Sequence, residues 1–272
     1  MKQNWLYGKT IVITGASSGI GKELTKLFIN QNNCRVIGVA RSEQKMQKLI
    51  AELGDKAYNF EYRLFDVGDA QKWQEFAQQI NRPIDLLINN AGMMHKFDNF
   101  LNIDISDGKR VIDTNFYSVV YGCKAFLPKL SANGGVVNIC SSDALLAVAG
   151  TSYYAASKGA IKSFTQSLMG EFPNHYISCV FPGFTATDIF RDIKFNSSDA
   201  SSFKRLVSPC DKTAKTIYKS ILRKKKYCIV GTDAKIFNFL SKTKLGGGEK
   251  LVNGVLQKSK TNLFSTIQYK SK

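Results

Sequence analysis

A short β-branched run that opens into a glycine-rich turn is the feature that most constrains this chain. Residues Thr10–Thr14 read Thr-Ile-Val-Ile-Thr, which is typical of a buried strand. The glycine-rich turn at 15–21 follows directly, and residues 22–30 have the pattern of a helix. Glycines in such a turn allow close approach of a pyrophosphate, whose charge is met by the free N–H groups of the helix start. The N-terminus therefore predicts a strand–turn–helix unit that binds a dinucleotide.

Apolar runs alternate with helical stretches along most of the chain. The runs read as strands at about 10–14, 34–39, 57–65, 84–89, 135–140, 176–181 and 227–231. Such alternation predicts an α/β fold with a parallel sheet and helices on both of its faces. Ligands of these sheets bind at the carboxyl ends of the strands. The glycine turn, residues 89–92, Ser141 and residues 182–183 all follow strand ends, so we expect them to converge on one edge of the sheet.

Tyr154 and Lys158 are four residues apart, and Ser141 lies thirteen residues before the tyrosine, at the end of an apolar run. Positions i and i+4 share one face of a helix, so the ammonium group of Lys158 is expected beside the phenol. A neighbouring positive charge favours phenolate, which predicts that the pKa of Tyr154 falls from about 10 towards neutrality. A tyrosine with such a pKa can exchange a proton with a carbonyl or alcohol oxygen. A serine hydroxyl could hydrogen-bond the same oxygen, which suits a redox reaction.

Several motifs in order give the chain a resemblance to the short-chain dehydrogenase/reductase family, in its classical subfamily. The resemblance covers residues 8–231. It rests on residues 14–21, Asp66-Val67, Asn89-Asn-Ala-Gly92, Asn115, Ser141, Tyr154-Ala-Ala-Ser-Lys158 and Pro182-Gly183. It implies one Rossmann-type, doubly wound parallel sheet of seven strands with helices on both faces. We accordingly divide the chain into a Rossmann-fold domain at 1–232 and a basic helical extension at 233–272.

The resemblance also implies which residues hold a nicotinamide dinucleotide. Asp66 and Val67 would contact the adenine, residues 90–92 would form the adjacent wall, and Thr187 would hold the nicotinamide carboxamide. The full predicted set is Gly15, Ser17, Ser18, Gly19, Ile20, Gly21, Arg41, Asp66, Val67, Asn90, Ala91, Gly92, Tyr154, Lys158, Pro182, Gly183, Thr185 and Thr187.

The end of the second strand indicates which dinucleotide is bound. An acidic residue there would bind the ribose 2′-hydroxyl of NAD, whereas a basic one favours the 2′-phosphate of NADP. This chain has Ala40 at the position that would be acidic, followed by Arg41. A guanidinium can bind a phosphate in a bidentate manner, so we predict NADP(H) rather than NAD(H). The alternative is that Arg41 is a solvated residue at a helix start.

Four residues are predicted to be catalytic: Asn115, Ser141, Tyr154 and Lys158. Tyr154 would act as the general acid in reduction, and Ser141 would polarise the carbonyl oxygen. By resemblance, Lys158 would also bind the nicotinamide ribose, and Asn115 would hold a water that connects Lys158 to solvent. The family's usual small residue and glycine after the serine are replaced here by Asp143 and Ala144, which alters the substrate loop.

Apolar residues around the serine and after 182–183 are candidates for the substrate pocket. They are Leu145, Leu146, Val148, Phe184, Ile189 and Phe190, with Met93, Met94 and His95 as candidates for the entrance. This composition favours a hydrophobic ketone, aldehyde or alcohol. The alternative is that most of these residues pack in the core or in a lid.

Composition bounds the remaining possibilities. A chain of 272 residues with 44% hydrophobic content suits one soluble α/β domain and leaves little for a second. No apolar stretch reaches the ~18 residues of a membrane span, and the start lacks the apolar core of a signal peptide. Six scattered cysteines without a Cys-x-x-Cys pair favour buried thiols in a reducing compartment, so we expect a cytoplasmic protein. Two isolated histidines predict no metal site.

The net charge of +17 is concentrated in the C-terminal quarter, where residues 201–272 hold 17 Lys and Arg against 3 Asp and Glu. Residues 234–242 and 251–258 have the pattern of amphipathic helices, which can lie on anionic membrane surfaces or simply cap a sheet edge with their cations in water. We expect the second arrangement, and no nucleic-acid binding, because no recognised module accompanies the charge.

Taken together, these features predict an NADP(H)-dependent oxidoreductase that transfers hydride between nicotinamide and a carbonyl or secondary alcohol. The predicted partners are a small-molecule substrate and a second copy of the chain, in a homodimer or homotetramer. The alternative is a non-catalytic NADP(H)-binding protein that docks on a membrane surface or partner through its basic tail. An intact Asn–Ser–Tyr–Lys set argues against that alternative.

Overall fold

The computed structural model describes residues 4–187, 189, 207–242 and 254, and the described residues form a seven-stranded parallel sheet with flanking helices. The strands are β1 Thr10–Thr14, β2 Arg35–Ala40, β3 Phe60–Leu64, β4 Ile84–Asn89, β5 Leu130–Ile139, β6 Tyr176–Pro182 and β7 Tyr227–Val230. The helices are α1 Gly19–Asn32, α2 Glu43–Leu53, α3 Ala70–Gln79, α4 Ile105–Ile112, α5 Ser118–Phe126, α6 Ser152–Glu171, α7 Cys210–Leu222 and α8 Thr232–Lys242. The predicted α/β fold with a Rossmann-type sheet is confirmed.

The strand order β3-β2-β1-β4-β5-β6-β7 brings the ends of β1 and β4 together in the middle of the sheet. Strand β1 pairs with β2 on one side and with β4 on the other, with Ile11 opposite Leu86 and Ile13 opposite Ile88. The chain therefore winds outward in opposite directions from the β1–β4 pair. A crevice forms outside the carboxyl ends of the strands at such a switch point, and ligands of open parallel sheets bind there.

Two hydrophobic cores lie on opposite faces of the sheet because alternate strand residues point to opposite sides. Ile11 and Ile13 of β1 pack with α1, α2 and α7, whereas Val12 packs with α3, α5 and α6. The helices contribute large apolar side chains, among which Phe28 and Trp73 are almost fully buried. Both faces of the sheet are therefore covered, as the near-continuous apolar strands predict.

Two strand boundaries differ from those predicted. Strand β5 begins at Leu130 rather than at 135, since its first half is polar and pairs with β4 across a register shift between Ile84 and Leu86. The predicted strand at 57–65 is shorter, because residues Gly54–Asn59 form a 3₁₀ helix and β3 begins at Phe60. Gly54 starts this turn with φ +54, a conformation that favours glycine.

Helix α8 joins the C-terminal segment to the sheet. It begins at Thr232, so the predicted boundary between residues 232 and 233 falls within its first turn, and Ala234 and Phe237 are buried. The predicted helix at 234–242 therefore corresponds to α8, and the predicted helix at 251–258 lies outside the described residues apart from Gly254. Within the described chain, none of the helices is long and apolar enough to cross a membrane.

A buried chain of polar side chains ties β4 and β5 to α6. The amide of Asn89 donates to Oδ1 of Asn138 at 2.8 Å, and Nδ2 of Asn138 donates to the hydroxyl of Thr165 at 2.9 Å. That hydroxyl donates in turn to the carbonyl of Ile161. All four residues are buried, so each hydrogen bond satisfies a group that water cannot reach.

We predict that Asn138→Ala lowers the free energy of unfolding by about 2 kcal/mol, because it removes the buried oxygen that accepts from Asn89 and the buried amide that donates to Thr165. Urea denaturation followed by circular dichroism measures the change. The control Gln71→Ala alters an exposed side chain of α3 and is expected to change the free energy by less than about 0.5 kcal/mol. Equal stabilities of the two variants would contradict a structural role for this hydrogen-bonded chain.

Candidate active site

The glycine-rich turn after β1 has backbone geometry that side chains would obstruct. Gly15 and Gly19 have φ values of +65 and +53, in the left-handed region that favours glycine. A Cβ atom on Gly21 would collide with the carbonyl oxygen of Gly15 and crowd the amide of Asn90. Helix α1 begins at Gly19 with Ser18 before it, and the Ser18 side chain does not cap the helix. The first N–H groups of α1 therefore remain available to an anion.

Thr14 joins this turn to the end of β4. Its hydroxyl oxygen accepts hydrogen bonds from the backbone N–H groups of Asn90 and Ala91, both at 2.9 Å. Nδ2 of Asn90 donates in return to the carbonyl of Thr14 at 2.9 Å. The segment 90–92 is thus held against the glycine turn, as the convergence of strand ends predicts.

Asn115 links the same segment to α6. It lies in a π-helical turn at Asp113–Tyr117 and is fully buried. Its Oδ1 accepts from the N–H of Met93 at 2.8 Å, and its Nδ2 donates to the Met93 carbonyl and to Oγ of Ser157, both at 2.9 Å. A π-helical turn in an α-helix frequently marks a functional position. The water that the family resemblance assigns to Asn115 stays a prediction.

Ser141, Tyr154 and Lys158 meet at the end of β5. Ser141 and Tyr154 are joined by a side-chain hydrogen bond, and Lys158 Nζ lies 5.6 Å from the centroid of the Tyr154 ring. The ammonium donates to the carbonyl of Ile139 at 3.1 Å. All three side chains are buried, with exposed fractions between 3% and 9%. The structure therefore brings together the three groups that the motif spacing predicts.

The electrostatics of Tyr154 differ from the prediction. Burial raises the pKa of Tyr154, the negative charge of Asp143 raises it further, and the hydrogen bond from Ser141 opposes both effects. Burial also lowers the pKa of Lys158, whereas the neighbouring Cys140, Cys179 and Asp143 act to raise it. The expected fall of the tyrosine pKa towards neutrality is therefore wrong for this arrangement. The site has little water, so the loss of hydration disfavours the charged form of each of the two groups.

Asp143 is a buried carboxyl group at the centre of the site. It lies in a 3₁₀ turn at Ser142–Ala144, where its own N–H donates to Oγ of Ser141 at 3.2 Å. Burial raises its pKa to about 7, although hydrogen bonds from the Thr151 hydroxyl and the Val148 N–H and the charge of Lys158 oppose that rise. The sequence identified Asp143 as unusual for its position but did not indicate that it is buried in the cavity that Ser141 and Tyr154 line.

The segment after β6 completes the site. Thr187 lies against the glycine turn, so that a Cβ atom on Gly19 would stand 3.1 Å from its methyl group. The buried Thr185 donates its hydroxyl proton to the carbonyl of Gly183 at 3.0 Å. Asp233 of α8 accepts from the N–H of Phe184 at 2.6 Å, and its carboxylate occupies the space that a side chain on Gly183 would need. No local sequence signal pointed to Asp233, because it is fifty residues from the motif it supports.

One cavity connects most of the predicted residues. Its volume is about 170 Å³, and its wall includes the glycine turn, residues 90–92, Ser141, Tyr154, Lys158 and residues 182–185. Of the predicted pocket residues, Val148, Phe184, Ile189 and Met94 line it. Leu145 packs in the core instead, and Leu146 packs against Val148 and Phe237. His95 is buried against Tyr153. Phe190 lies outside the described residues. Phe97 and Thr151 also line the cavity, which the sequence did not predict.

Six of the predicted site residues are not part of the cavity wall. They are Ser17, Gly21, Arg41, Asp66, Val67 and Asn115. Arg41 and Asp66 form an ion pair at 3.5 Å on the surface beyond the glycine turn, and both side chains are more than half exposed. Val67 is buried, and its carbonyl accepts from Nε1 of Trp73. In the described part of the chain, no group of three or more His, Cys, Asp or Glu side chains could hold a metal.

We predict that Asp143→Asn stabilises the protein more at about pH 8 than at about pH 5, because the pKa of the folded-state carboxyl lies above its unfolded value of about 3.9. The stability contributed by the protonated carboxyl is present below that unfolded value and is lost as the pH rises through about 7. Urea denaturation at both pH values measures the difference between variant and parent.

The matched control is Asp211→Asn on α7, where the exposed carboxylate pairs with Lys215 and its pKa is lowered. Its stability difference from the parent should not change between the two pH values, because both lie above its titration range. A pH-independent difference for Asp143→Asn would contradict the burial of an ionisable carboxyl.

Comparison with known proteins agrees with this geometry. A family model described as short chain dehydrogenase matches residues 9–197. Benzil reductase ((S)-benzoin forming) of Saccharomyces cerevisiae is 33% identical over 200 residues, which are 69% of this chain and 75% of the relative. A dehydrogenase/reductase SDR family protein 7-like of Drosophila melanogaster is 32% identical over 260 residues, covering 88% of this chain and 77% of the relative.

A solved structure gives the same result. The crystal structure of a short chain dehydrogenase/reductase from Saccharomyces cerevisiae matches with a TM-score of 0.69 and 29% identity, covering 79% of this chain and 91% of the other. The sheet order, the glycine turn and the Ser–Tyr–Lys cluster thus occur together with a family match over more than half of the sequence. The chain belongs to the short chain dehydrogenase family.

Proposed function

We propose that the protein is an NADP(H)-dependent oxidoreductase that interconverts a carbonyl compound and its secondary alcohol. The observation that carries the proposal is that Ser141, Tyr154 and Lys158 line the same cavity as the glycine turn after β1. A proton donor and a dinucleotide cradle in one cavity are the two parts that such a reaction needs. When bound, the dinucleotide would supply or accept the hydride.

The close backbone approach at Gly15, Gly21 and Gly92 supports a fit to the dinucleotide. A Cβ atom on Gly21 or Gly15 would crowd the neighbouring backbone, and one on Gly92 would stand 3.5 Å from Lys158 Nζ. Residues 15–21 with the start of α1 would hold the pyrophosphate, and Thr185 and Thr187 would lie at the nicotinamide end. Asp66 and Val67 would meet the adenine.

The side chains of this chain would divide the acid–base work. Burial raises the pKa of Tyr154, so its phenol remains protonated at neutral pH and can give its proton to a carbonyl oxygen during reduction. Ser141, hydrogen-bonded to that phenol, would hold the same oxygen. Lys158 would orient the nicotinamide ribose and favour the phenolate that remains after proton transfer. Asn115 positions residues 92–93 against α6 through its amide.

The apolar part of the cavity supports a hydrophobic substrate. Phe97, Val148, Phe184 and Ile189 lie on its wall, and Leu146 and Phe237 pack behind them. We propose a homodimer or homotetramer as the assembly and retain the cytoplasm as the predicted location. The rival function, a non-catalytic NADP(H)-binding protein that docks through its basic tail, relies mainly on residues outside the described ones.

Tyr154→Phe is expected to lower kcat about 10²–10⁴-fold, because it removes the proton donor. The matched control is Tyr153→Phe: the neighbouring tyrosine packs on His95 and Phe100 outside the cavity wall, and we expect its variant to keep the parent's turnover. Oxidation of NADPH with a panel of ketones, aldehydes and a 1,2-diketone gives the rates, and NADPH fluorescence gives the binding. Parent-like turnover in Tyr154→Phe would refute the acid–base assignment, and an inactive parent that binds NADPH would favour the rival function.

Arg41→Asp is expected to lower the preference for NADPH over NADH, since a carboxylate repels the 2′-phosphate. The exposed pair with Asp66 is worth at most about 1 kcal/mol, so the guanidinium is free to turn to a phosphate. Arg35→Asp is the matched control, because Arg35 is exposed at the opposite end of β2. The ratio of kcat/KM for the two cofactors measures the effect. An equal ratio in Arg41→Asp and Arg35→Asp would refute the 2′-phosphate interpretation.

A further inference from the structure

A carboxyl group lies in the wall of the cavity that the apolar side chains also line. Asp143 lines this cavity together with Ser141 and Tyr154, and only 9% of the residue is exposed. Val148 and Phe184 line the same cavity and pack with Leu146 and Phe237. Asp143 is therefore the acidic group that a bound substrate would meet in this wall. A buried carboxylate among apolar side chains is unfavourable unless it is hydrogen-bonded.

The protein satisfies only part of the hydrogen-bonding capacity of this carboxyl. The Val148 N–H donates to it, and the Thr151 hydroxyl is its second partner. That hydroxyl has a single proton, and its oxygen also lies 2.8 Å from the Val148 carbonyl, so the proton is shared between two acceptors. An ionised carboxylate offers about four acceptor sites. The contacts with Val148 and Thr151 leave part of this capacity for a donor that enters the cavity.

Asp143 lies close to the position that the reacting oxygen would take, since its charge acts on Tyr154. It lies two residues after Ser141, and its own N–H donates to the Ser141 hydroxyl at 3.2 Å. The reacting oxygen would lie at Ser141 and Tyr154, which are hydrogen-bonded to each other. A group that meets Asp143 while this oxygen is bound is therefore attached close to the carbonyl carbon. The apolar wall receives the remainder of the molecule.

Charge favours a neutral donor over a cation. Lys158 is buried in the same cavity, and its charge acts on Asp143. A substrate ammonium would be attracted to an ionised Asp143, but it would also bring a second positive charge into the cavity that Lys158 lines, where repulsion is poorly screened. A hydroxyl group donates a hydrogen bond without that repulsion. The fitting functional group is therefore an alcohol.

Resting on the proposed function, we propose that Asp143 is a specificity-determining residue that accepts a hydrogen bond from a hydroxyl group on the carbon next to the reacting carbonyl. The preferred substrates are accordingly α-hydroxy ketones with an apolar body in the reductive direction, and vicinal diols in the oxidative direction. In reduction the carbonyl carbon receives hydride, its oxygen receives the Tyr154 proton, and the neighbouring hydroxyl is unchanged.

The test compares 2-hydroxyacetophenone with acetophenone, which differ by one hydroxyl group. The measured quantity is the ratio of kcat/KM for the two ketones with NADPH, in the parent, Asp143→Ala and Asp143→Asn. At about pH 8, above the pKa of about 7 of Asp143, Asp143→Ala should lower this ratio about 10-fold or more, as expected for the loss of a hydrogen bond to a charged group. Asp143→Asn should lower it less, since its amide oxygen still accepts. The exposed control Asp211→Asn should keep the parent's ratio.

Several outcomes overturn the proposal. It fails if the ratio in Asp143→Ala stays within about twofold of the parent's, well below the effect of one charged hydrogen bond. Should that variant not fold, Asp143→Leu replaces it, because leucine also removes the acceptor, and a ratio within about twofold of the parent's has the same meaning. The proposal also fails if 2-aminoacetophenone, as its ammonium form, is the substrate whose kcat/KM falls most in Asp143→Ala.

The proposed function can fail separately. A parent that turns over no carbonyl compound with NADPH refutes the oxidoreductase reaction but not the recognition by Asp143. Equilibrium binding of 2-hydroxyacetophenone and acetophenone to the protein in the presence of NADP⁺ then decides. Tighter binding of the hydroxy ketone that is lost in Asp143→Ala supports the inference, and equal binding of the two ketones overturns it.

Discussion

The pairing of β1 with β4 at the centre of the sheet is the constraint on which the candidate site depends. These strands are 70 residues apart in the chain, yet their carboxyl ends are adjacent because the sheet winds outward from them. The hydroxyl of Thr14 then reaches the N–H groups of Asn90 and Ala91. Without this pairing the glycine turn and the segment 90–92 would not share a cavity. The order of the strands therefore determines where the site lies, and particular side chains then complete it.

Burial of ionisable side chains is the second physical constraint on the site. Asp143, Tyr154 and Lys158 are all ionisable and almost without access to water, so each is shifted towards its neutral form: the pKa of Asp143 and that of Tyr154 are raised, and that of Lys158 is lowered. The directions agree with loss of hydration as the largest cause in each case. A low-dielectric site also strengthens every hydrogen bond made inside it. Burial therefore disfavours the charged form of each group, and it also strengthens the hydrogen bonds that the protons of these groups make.

Much of this architecture was predictable from the sequence, for physical reasons that differ between residues. Strands with long apolar runs, such as β1 and β4, are recognisable because their burial is continuous. The start of β5 was missed because Ser131, Asn133 and Gly134 carry no apolar pattern. The convergence of Ser141, Tyr154 and Lys158 followed from spacing. The contact of Asp233 with residue 184, the Arg41–Asp66 pair and the raised pKa of Tyr154 depend on distant packing, which no local pattern encodes.

The hydrogen bond between Asp233 and the N–H of Phe184 has a consequence for how the chain can be shortened. A cut after residue 232 follows the domain boundary predicted from the sequence, since the family resemblance ends at residue 231 and the basic tail follows. Such a cut would remove the Asp233 carboxylate, which occupies the space beside Gly183. It would also remove Phe237, which packs against Phe184. Phe184, which lines the cavity, would lose both of these contacts. The first two turns of α8 are thus an integral part of the Rossmann-type unit rather than an appendage to it.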